Sequence, residues 1–365
     1  MAKVNLTFLN DLVQAITRTE RRGKGREQVT AQTLLAQPPA ERLAAACDVL
    51  MGRIGEAARI AVAEQALAAY AELDEQGRHD FFVRLRDRFG ADPAPIRAAF
   101  AAYDADPSSG NLAALFATVE PQRQTLLRRL NMAPGATLKL VAMRADLLKA
   151  IAQDPALAPI DADFAHLLSS WFNRGFLYLE RIDWSTPAAI LEKIIAYESV
   201  HRIEGWDDLR RRLDQADRRC YAFFHPATGN EPLIFVEVAL TRSIPDAIAP
   251  ILNAPRVASP EDADTAVFYS INNSLPGLKG VSFGNLLIKQ VVAVLQAELP
   301  QLKTFVTLSP APTFGAWLAR ETDPAAVALR GELEQGGWQS DPAAADRLRP
   351  LVLGKRDAEG RPLIS

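Results

Sequence analysis

Residues 231–241, EPLIFVEVALT, form an almost continuously apolar run, the pattern of a strand buried on both faces. Such a strand needs a sheet around it and a cover on each side. Further β-type runs lie at FLYLERIDW (176–184), RCYAFF (219–224), TAVFYSI (265–271) and KTFVTL (303–308), and helical segments alternate with them. STPAAILEKIIAYESVH opens with Ser185 placed as an N-cap and Pro187 in the first turn. NLLIKQVVAVLQAELP sets Ile288, Val291, Leu295 and Leu299 on one face before Pro300 ends it. From residue 168 onward the sequence therefore predicts an α/β domain with a mixed sheet.

The first 165 residues carry the helical period instead. Apolar residues recur at Ile60, Ala63, Leu67 and Tyr70, at Phe82, Leu85 and Phe89, and at Leu138, Val141, Ala145 and Leu148. Breaks are expected at QPPAER near 37, GADPAP near 90, DPSSGN near 106 and MAPGAT near 132, where proline or glycine interrupts the pattern. The predicted organisation is an all-α bundle over 1–167 followed by the α/β domain over 168–365. The basic run Arg18, Arg21, Arg22, Lys24, Arg26 reads as a solvated helix end and linker. WDDLRRRLDQADRR reads as a charged amphipathic helix with a solvated face, DPAAVALRGELEQGGW as a helix ending at Gly336, and Trp171, Trp184, Trp206, Trp317 and Trp338 as core or interface residues.

Charge and composition narrow the function classes. A net charge of −3 over 365 residues offers no electrostatic footprint for nucleic acid or an anionic membrane. No apolar run is long enough for a membrane span, and the N-terminus lacks the apolar block and cleavage site of a secretory signal. Cys47 and Cys220 stand far apart, and His79, His166, His201 and His225 are scattered, so neither a disulfide framework nor a metal site is expected. The expectation is a mature start in the reducing cytoplasm.

The stretch that can carry chemistry is NNSLPGLKGVSFGN, with glycines at 277, 280 and 284, between a strand and a helix. A glycine-containing loop at a helix N-terminus leaves backbone N–H groups free beside the positive end of the helix dipole, which suits an anion. Its spacing is neither GxxxxGK[ST] nor GxGxxG, and a plain strand-to-helix turn remains the other reading. Downstream, FVTLSPAPTF holds Ser309 between Leu308 and Pro310 at a strand end. A residue before proline is biased toward extended backbone, so the simple reading is a strand-terminating turn.

The strand, glycine loop, helix, strand order resembles the acyl-CoA-binding core of the GNAT acetyltransferases, in which such a loop holds the pyrophosphate of coenzyme A. FYSINNSLPGLKGVSFGNLLIKQVVAVLQAELPQLKTFVTLSPAPTF is similar, word by word, to the signature of the malonyl-CoA decarboxylase family, whose catalytic domain is a variant of that fold. WFNRGFLYLERIDWSTPAAILEKIIAYESVH, WDDLRRRL and RRCYAFFHPATGNEPLIFVEVALT extend the resemblance, and the helical half resembles that family's oligomerisation domain more loosely. The resemblance implies malonyl-CoA as substrate, acetyl-CoA and carbon dioxide as products, no cofactor beyond the substrate's own CoA, and a homo-oligomer built through the helical domain.

It further implies that Lys279, Gly280, Val281, Ser282, Phe283, Gly284 and Asn285 contact the CoA moiety and that Ser309 is the catalytic serine. At Ser282 some relatives carry glutamate, which leaves the backbone role and puts the side chain's in question. Loss of carbon dioxide leaves an enolate on the thioester, stabilised by fixed donors and then protonated by a general acid. In the family that acid is a histidine of an FHxxNG element shortly after a segment like LGKRDAEGRPL. This sequence stops at Ser365, so the domain is expected to be C-terminally incomplete and to lack that acid. His225, in FFHPATGN, is either a stand-in or a histidine bonding its own turn; His201 is expected at a helix terminus, and His79 and His166 as surface or packing residues. Two rival functions stand beside decarboxylation: a CoA-binding, oligomerising fragment without catalysis, and an acyl-CoA-dependent N-acyltransferase.

Overall fold

The computed structural model describes residues 37–253, 259–281, 284–310 and 314–334, with 341, 343 and 346. The basic run 18–26, Gly336 and Trp338 lie outside the described residues. Internal contacts divide the chain into two units, Met1–Thr307 and Leu308–Ser365.

The first unit begins with helices α1 (Pro39–Met51), α2 (Glu56–Ala71), α3 (Glu75–Arg88), α4 (Pro93–Ala105), α5 (Ser109–Val119), α6 (Gln122–Leu130), α7 (Ala136–Gln153) and α8 (Ala158–Trp171). Breaks fall at the predicted proline and glycine sites, and side-chain caps mark several starts: Asp74 accepts from the Gly77 N–H and Ser108 from the Asn111 N–H. Leu50, Leu67, Phe82, Leu85, Leu126, Leu130, Leu147 and Phe164 meet in one apolar core. Helices α4 and α5 contain no buried residue, and Phe100 and Phe116 stand 59% and 68% exposed.

Helix α7 departs from the expected stripe. Leu140, Met143 and Leu147 enter the helical core, whereas Val141 turns the other way and joins Leu168 and Phe172 in the core beneath the sheet. Leu138, Ala145 and Leu148 are only half buried. The helix is covered on two sides, so one periodic stripe could not describe it.

Five strands follow: β1 (Tyr178–Ile182), β2 (Arg218–Phe224), β3 (Ile234–Thr241), β4 (Thr265–Asn273) and β5 (Thr304–Thr307), in spatial order β1-β2-β3-β4-β5. The first four pair antiparallel and β5 lies parallel to β4, giving the mixed sheet expected. A parallel neighbour requires a crossover, and α12 (Gly284–Glu298) supplies it. Leu287, Val291 and Leu295 of α12 are fully buried against one face of the sheet, Leu299 and Ile288 flanking them. The opposite face is covered by α9 (Ala188–Tyr197) and α10 (Trp206–Leu213) through Ile190, Leu191, Ile194, Leu209 and Leu213. A short α11 (Ala249–Asn253) lies between β3 and β4 in the chain.

Two local readings change. Ser185 does not cap α9: its N–H and hydroxyl both donate to Asp183 Oδ1, and the extended Pro187 occupies the N-cap position. Trp184 and Trp206 stand 36% and 43% exposed, edge to face at 6.1 Å, with the Arg210 guanidinium 5.3 Å from the Trp184 ring. In the second unit α13 (Phe314–Arg320) and α14 (Pro324–Glu334) pack Leu318, Ala326 and Leu329 together with Trp317 and Leu333.

Candidate functional site

A β-bulge organises the far end of β4. Phe268 pairs with Val238 and Ser270 with Glu237, so Tyr269 is an extra residue opposite no β3 partner. Phe268 and Ile271 consequently face the α12 side, while Ser270 and Asn272 join Glu237 on the α9 and α10 side. Pairing of β4 with β5 also ends at Phe268, opposite Thr307. A bulge bends its strand and sharpens the local twist, and here it coincides with the point where β4 leaves β5. Past Phe268 that edge of β4 has no strand partner among the described residues.

On the α9 and α10 side this bulge gathers a buried polar cluster. Glu198, just past α9 and 6% exposed, accepts from the Val200 and His201 N–H groups at 2.8 and 2.7 Å, from Ser270 Oγ at 2.8 Å and from Asn272 Nδ2 at 2.7 Å. Asn272 Oδ1 accepts in turn from the Ser199 N–H and hydroxyl at 3.0 and 2.8 Å. The loop after α9 is thereby pinned to β4. Glu237 is fully buried, and burial with the nearby Glu198 charge pushes its carboxyl up to about 7 against the pull of Arg212. Arg212 Nη1 lies 3.2 Å from Glu237 Oε2, and its guanidinium also donates to Asp208 and to the His201 and Arg202 carbonyls. Arg212 is thus turned inward, although Arg210 and Arg211 of the same helix are solvated as expected. Burial raises the Cys220 thiol and Tyr269 hydroxyl well above their ordinary ranges, so both are neutral.

The glycine loop begins two residues beyond β4. Pro276–Leu278 form a single helical turn held by Leu278 N–H to Leu275 O and Lys279 N–H to Pro276 O. Gly277 is seated directly on α7: a Cβ there would lie 1.8 Å from the Val141 carbonyl oxygen. Gly280 is glycine for a different reason, a φ of +83° with open space around it. Beneath the loop, Arg144 of α7 is 3% exposed; its Nη1 donates to the Gly277 and Lys279 carbonyls at 2.7 and 2.8 Å, and its Nε to Asp161 of α8 at 2.7 Å. Lys279 and Gly280 face solvent and Val281 is half buried. Ser282 and Phe283 lie outside the described residues, and Gly284 and Asn285 are described as the first backbone residues of α12.

Ser309 is exposed, two residues past the end of β5, and belongs to the second unit, whereas the loop belongs to the first. His225 bonds its own turn: Nδ1 accepts from the Ala227 N–H at 3.0 Å, Phe172 and Phe176 flank the ring, and burial lowers its basicity. His201 sits in the pinned loop after α9 rather than in the helix, its ring 6.2 Å from that of Tyr269. His79 lies 3.4 Å from Asp154, and His166 is exposed. Among the described residues no group of three or more His, Cys, Asp or Glu is placed to hold a metal ion, and no helix is long and apolar enough to cross a membrane. Sequence reasoning missed Glu198, Arg212, Ser270, Asn272 and Arg144; a carboxylate midway along an apolar strand, Glu237, was the available signal for the cluster.

Comparison with known proteins adds to this geometry. The family model for the malonyl-CoA decarboxylase N-terminal domain matches residues 89–172, and that for the C-terminal domain matches 175–356. The chain is 42% identical over 205 residues to the mitochondrial malonyl-CoA decarboxylase of Anser anser anser, covering 54% of this chain and 40% of that protein. It is 40% identical over 205 residues to the mitochondrial enzyme of Mus musculus, covering 54% and 42%. It therefore spans less than half the length of either curated relative. Among solved structures it is similar to malonyl-CoA decarboxylase from Rhodopseudomonas palustris, with a TM-score of 0.79 and 50% identity over 89% of this chain and 83% of that one. The protein from Agrobacterium vitis gives a TM-score of 0.80 and 47% identity over 88% and 82%.

Proposed function

Because this chain belongs to the malonyl-CoA decarboxylase family, we propose that it converts malonyl-CoA to acetyl-CoA and carbon dioxide. The observation that carries the reading is the parting of β4 from β5 at Phe268, directly before a glycine loop that leads into α12. In this reading the unpaired edge of β4 receives the pantetheine and thioester, and Lys279, Gly280, Val281, Ser282, Phe283, Gly284 and Asn285 receive the CoA diphosphate, Gly280 through its backbone and Lys279 through its charge. The nucleotide is part of the substrate, and the reading includes no separate cofactor.

In the reaction the bond between the malonyl carboxylate carbon and C2 breaks. Its electron pair passes into the thioester as an enolate, carbon dioxide departs, and a proton added to C2 completes acetyl-CoA. Ser309 is assigned to orient the departing carboxylate, on a backbone that the following Pro310 biases toward extended conformations. His225 is poorly suited to the proton transfer, since it is buried with its Nδ1 bonded to its own turn, and burial lowers its basicity. A division at residue 167, assembly of copies through the helical half and a cytoplasmic setting complete the proposal; the exposed Phe100 and Phe116 and the free, buried Cys47 and Cys220 support the last two.

The test incubates the 365-residue chain with malonyl-CoA and follows acetyl-CoA, with Ser309→Ala in parallel. Turnover lost on substitution, with CoA binding retained, is the expected result. CoA binding without any turnover in the unmodified chain would sink decarboxylation and leave the binding-only reading.

A further inference from the structure

Resting on the reading that Lys279 and Gly280 face the CoA diphosphate, we propose that Arg144 is a positioning residue for that loop, through which α7 and α8 shape the anion-binding end of the site. Arg144 is separated from the loop by more than 130 residues of chain, yet its Nη1 donates to two loop carbonyls, those of Gly277 and Lys279. A trans peptide points its C=O and the following N–H in opposite directions. Holding the Lys279 carbonyl down on Arg144 therefore aims the Gly280 N–H away from α7, toward the side an anion would occupy. Gly280 itself takes a positive φ of 83°.

Three features make the contact specific to the loop's shape. Arg144 is 3% exposed, so its donors have little water to fall back on and the two carbonyls fix where it points. Asp161 holds the other edge of the guanidinium at 2.7 and 3.3 Å, which locks the side chain in the fork geometry an arginine favours. Gly277 has no Cβ, which lets the turn approach α7 closely enough for the contact. The helical layer is accordingly part of the substrate-binding machinery as well as a scaffold.

The test is calorimetric titration of the full chain with CoA and with pantetheine, which lacks the diphosphate and nucleotide, using the unmodified protein, Arg144→Gln and Asp161→Asn. A loop misplaced by about 1 Å is expected to weaken CoA binding about tenfold or more in Arg144→Gln while pantetheine affinity stays within about twofold. Asp161→Asn, which leaves the loop bonds in place, is expected to lose affinity for CoA about threefold with the same selectivity. Equal loss for both ligands, or Arg144→Gln binding CoA as the unmodified chain does, would overturn the positioning role; if Arg144→Gln does not fold, Asp161→Asn decides by the same selectivity. Failure of the unmodified chain to bind CoA would instead overturn the functional reading itself.

Discussion

Replacing Gly277 with alanine puts a methyl carbon 1.8 Å from the Val141 carbonyl oxygen, 2.7 Å from its carbonyl carbon and 2.9 Å from its Cγ1. Two of those atoms are helix backbone, so no rotamer change can relieve the overlap. The turn at Pro276–Leu278 and α7 must separate until the oxygen contact reaches the 3.4 Å of ordinary packing. That displacement stretches the 2.7 and 2.8 Å bonds from Arg144 beyond hydrogen-bonding range. Overpacking costs about 1–3 kcal/mol, and a lost hydrogen bond to a charged group about 1.5–3 kcal/mol. Partial relaxation shares these losses, and a net destabilisation of about 3–5 kcal/mol is expected. Urea denaturation followed by circular dichroism measures it as a lower midpoint at unchanged slope. Gly280→Ala is the control: nothing lies within 4 Å of its added carbon, and only the positive φ, at about 1–2 kcal/mol, opposes it. A Gly277→Ala protein within about 1 kcal/mol of the unmodified chain would refute the close seating of loop on helix.

Glu198→Ala strips the acceptor from Ser270, Asn272 and two backbone N–H groups at once, and a loss of about 3 kcal/mol or more is expected in the same denaturation assay; a change below about 1 kcal/mol would mean that the cluster is not a unit. Glu237 has its carboxyl raised from 4.5 to about 7 in the fold, so the folded state holds the proton more tightly than the unfolded chain. Its contribution is fully present below pH 4.5 and is lost as pH rises to about 7, a decline of about 3 kcal/mol that Glu237→Gln should abolish from the stability profile. An unchanged profile would refute the assignment. Ser309→Ala is expected to leave the denaturation midpoint within about 0.5 kcal/mol, because the residue is exposed, while acetyl-CoA production falls at least about 100-fold.

Much of the architecture was legible because it is written in period and punctuation. The strand runs, the crossover helix and the helix breaks near residues 37, 90, 106 and 132 all follow from side-chain spacing and from where proline and glycine fall. The glycine loop was legible as a place, though the reason for each glycine was not: Gly277 answers to a helix far away in the sequence, Gly280 to its own backbone. What stayed hidden depends on long-range pairing. Simple alternation along TAVFYSINN puts Phe268, Ser270 and Asn272 on one face, and only the unpaired Tyr269 places the polar pair opposite the phenylalanine. Arg144 reads as an ordinary polar position in an amphipathic helix until the loop arrives above it. Ser185 failed as a cap because Asp183, two residues before it, engages its hydroxyl.

The extra residue at Tyr269 has a consequence for mutational robustness. The break in register between β3 and β4 depends on how many residues the strand contains, more than on which side chains it carries. A point substitution at Tyr269 alters what fills the space beside Glu237 and Arg212, but it leaves the count, and so the bend, unchanged. Returning β4 to an unbroken ladder with β3 takes a change in residue number, such as an in-frame deletion in β4. Substitutions arise far more often than in-frame single-residue deletions, so this break in register is held by the kind of feature that sequence drift alters least.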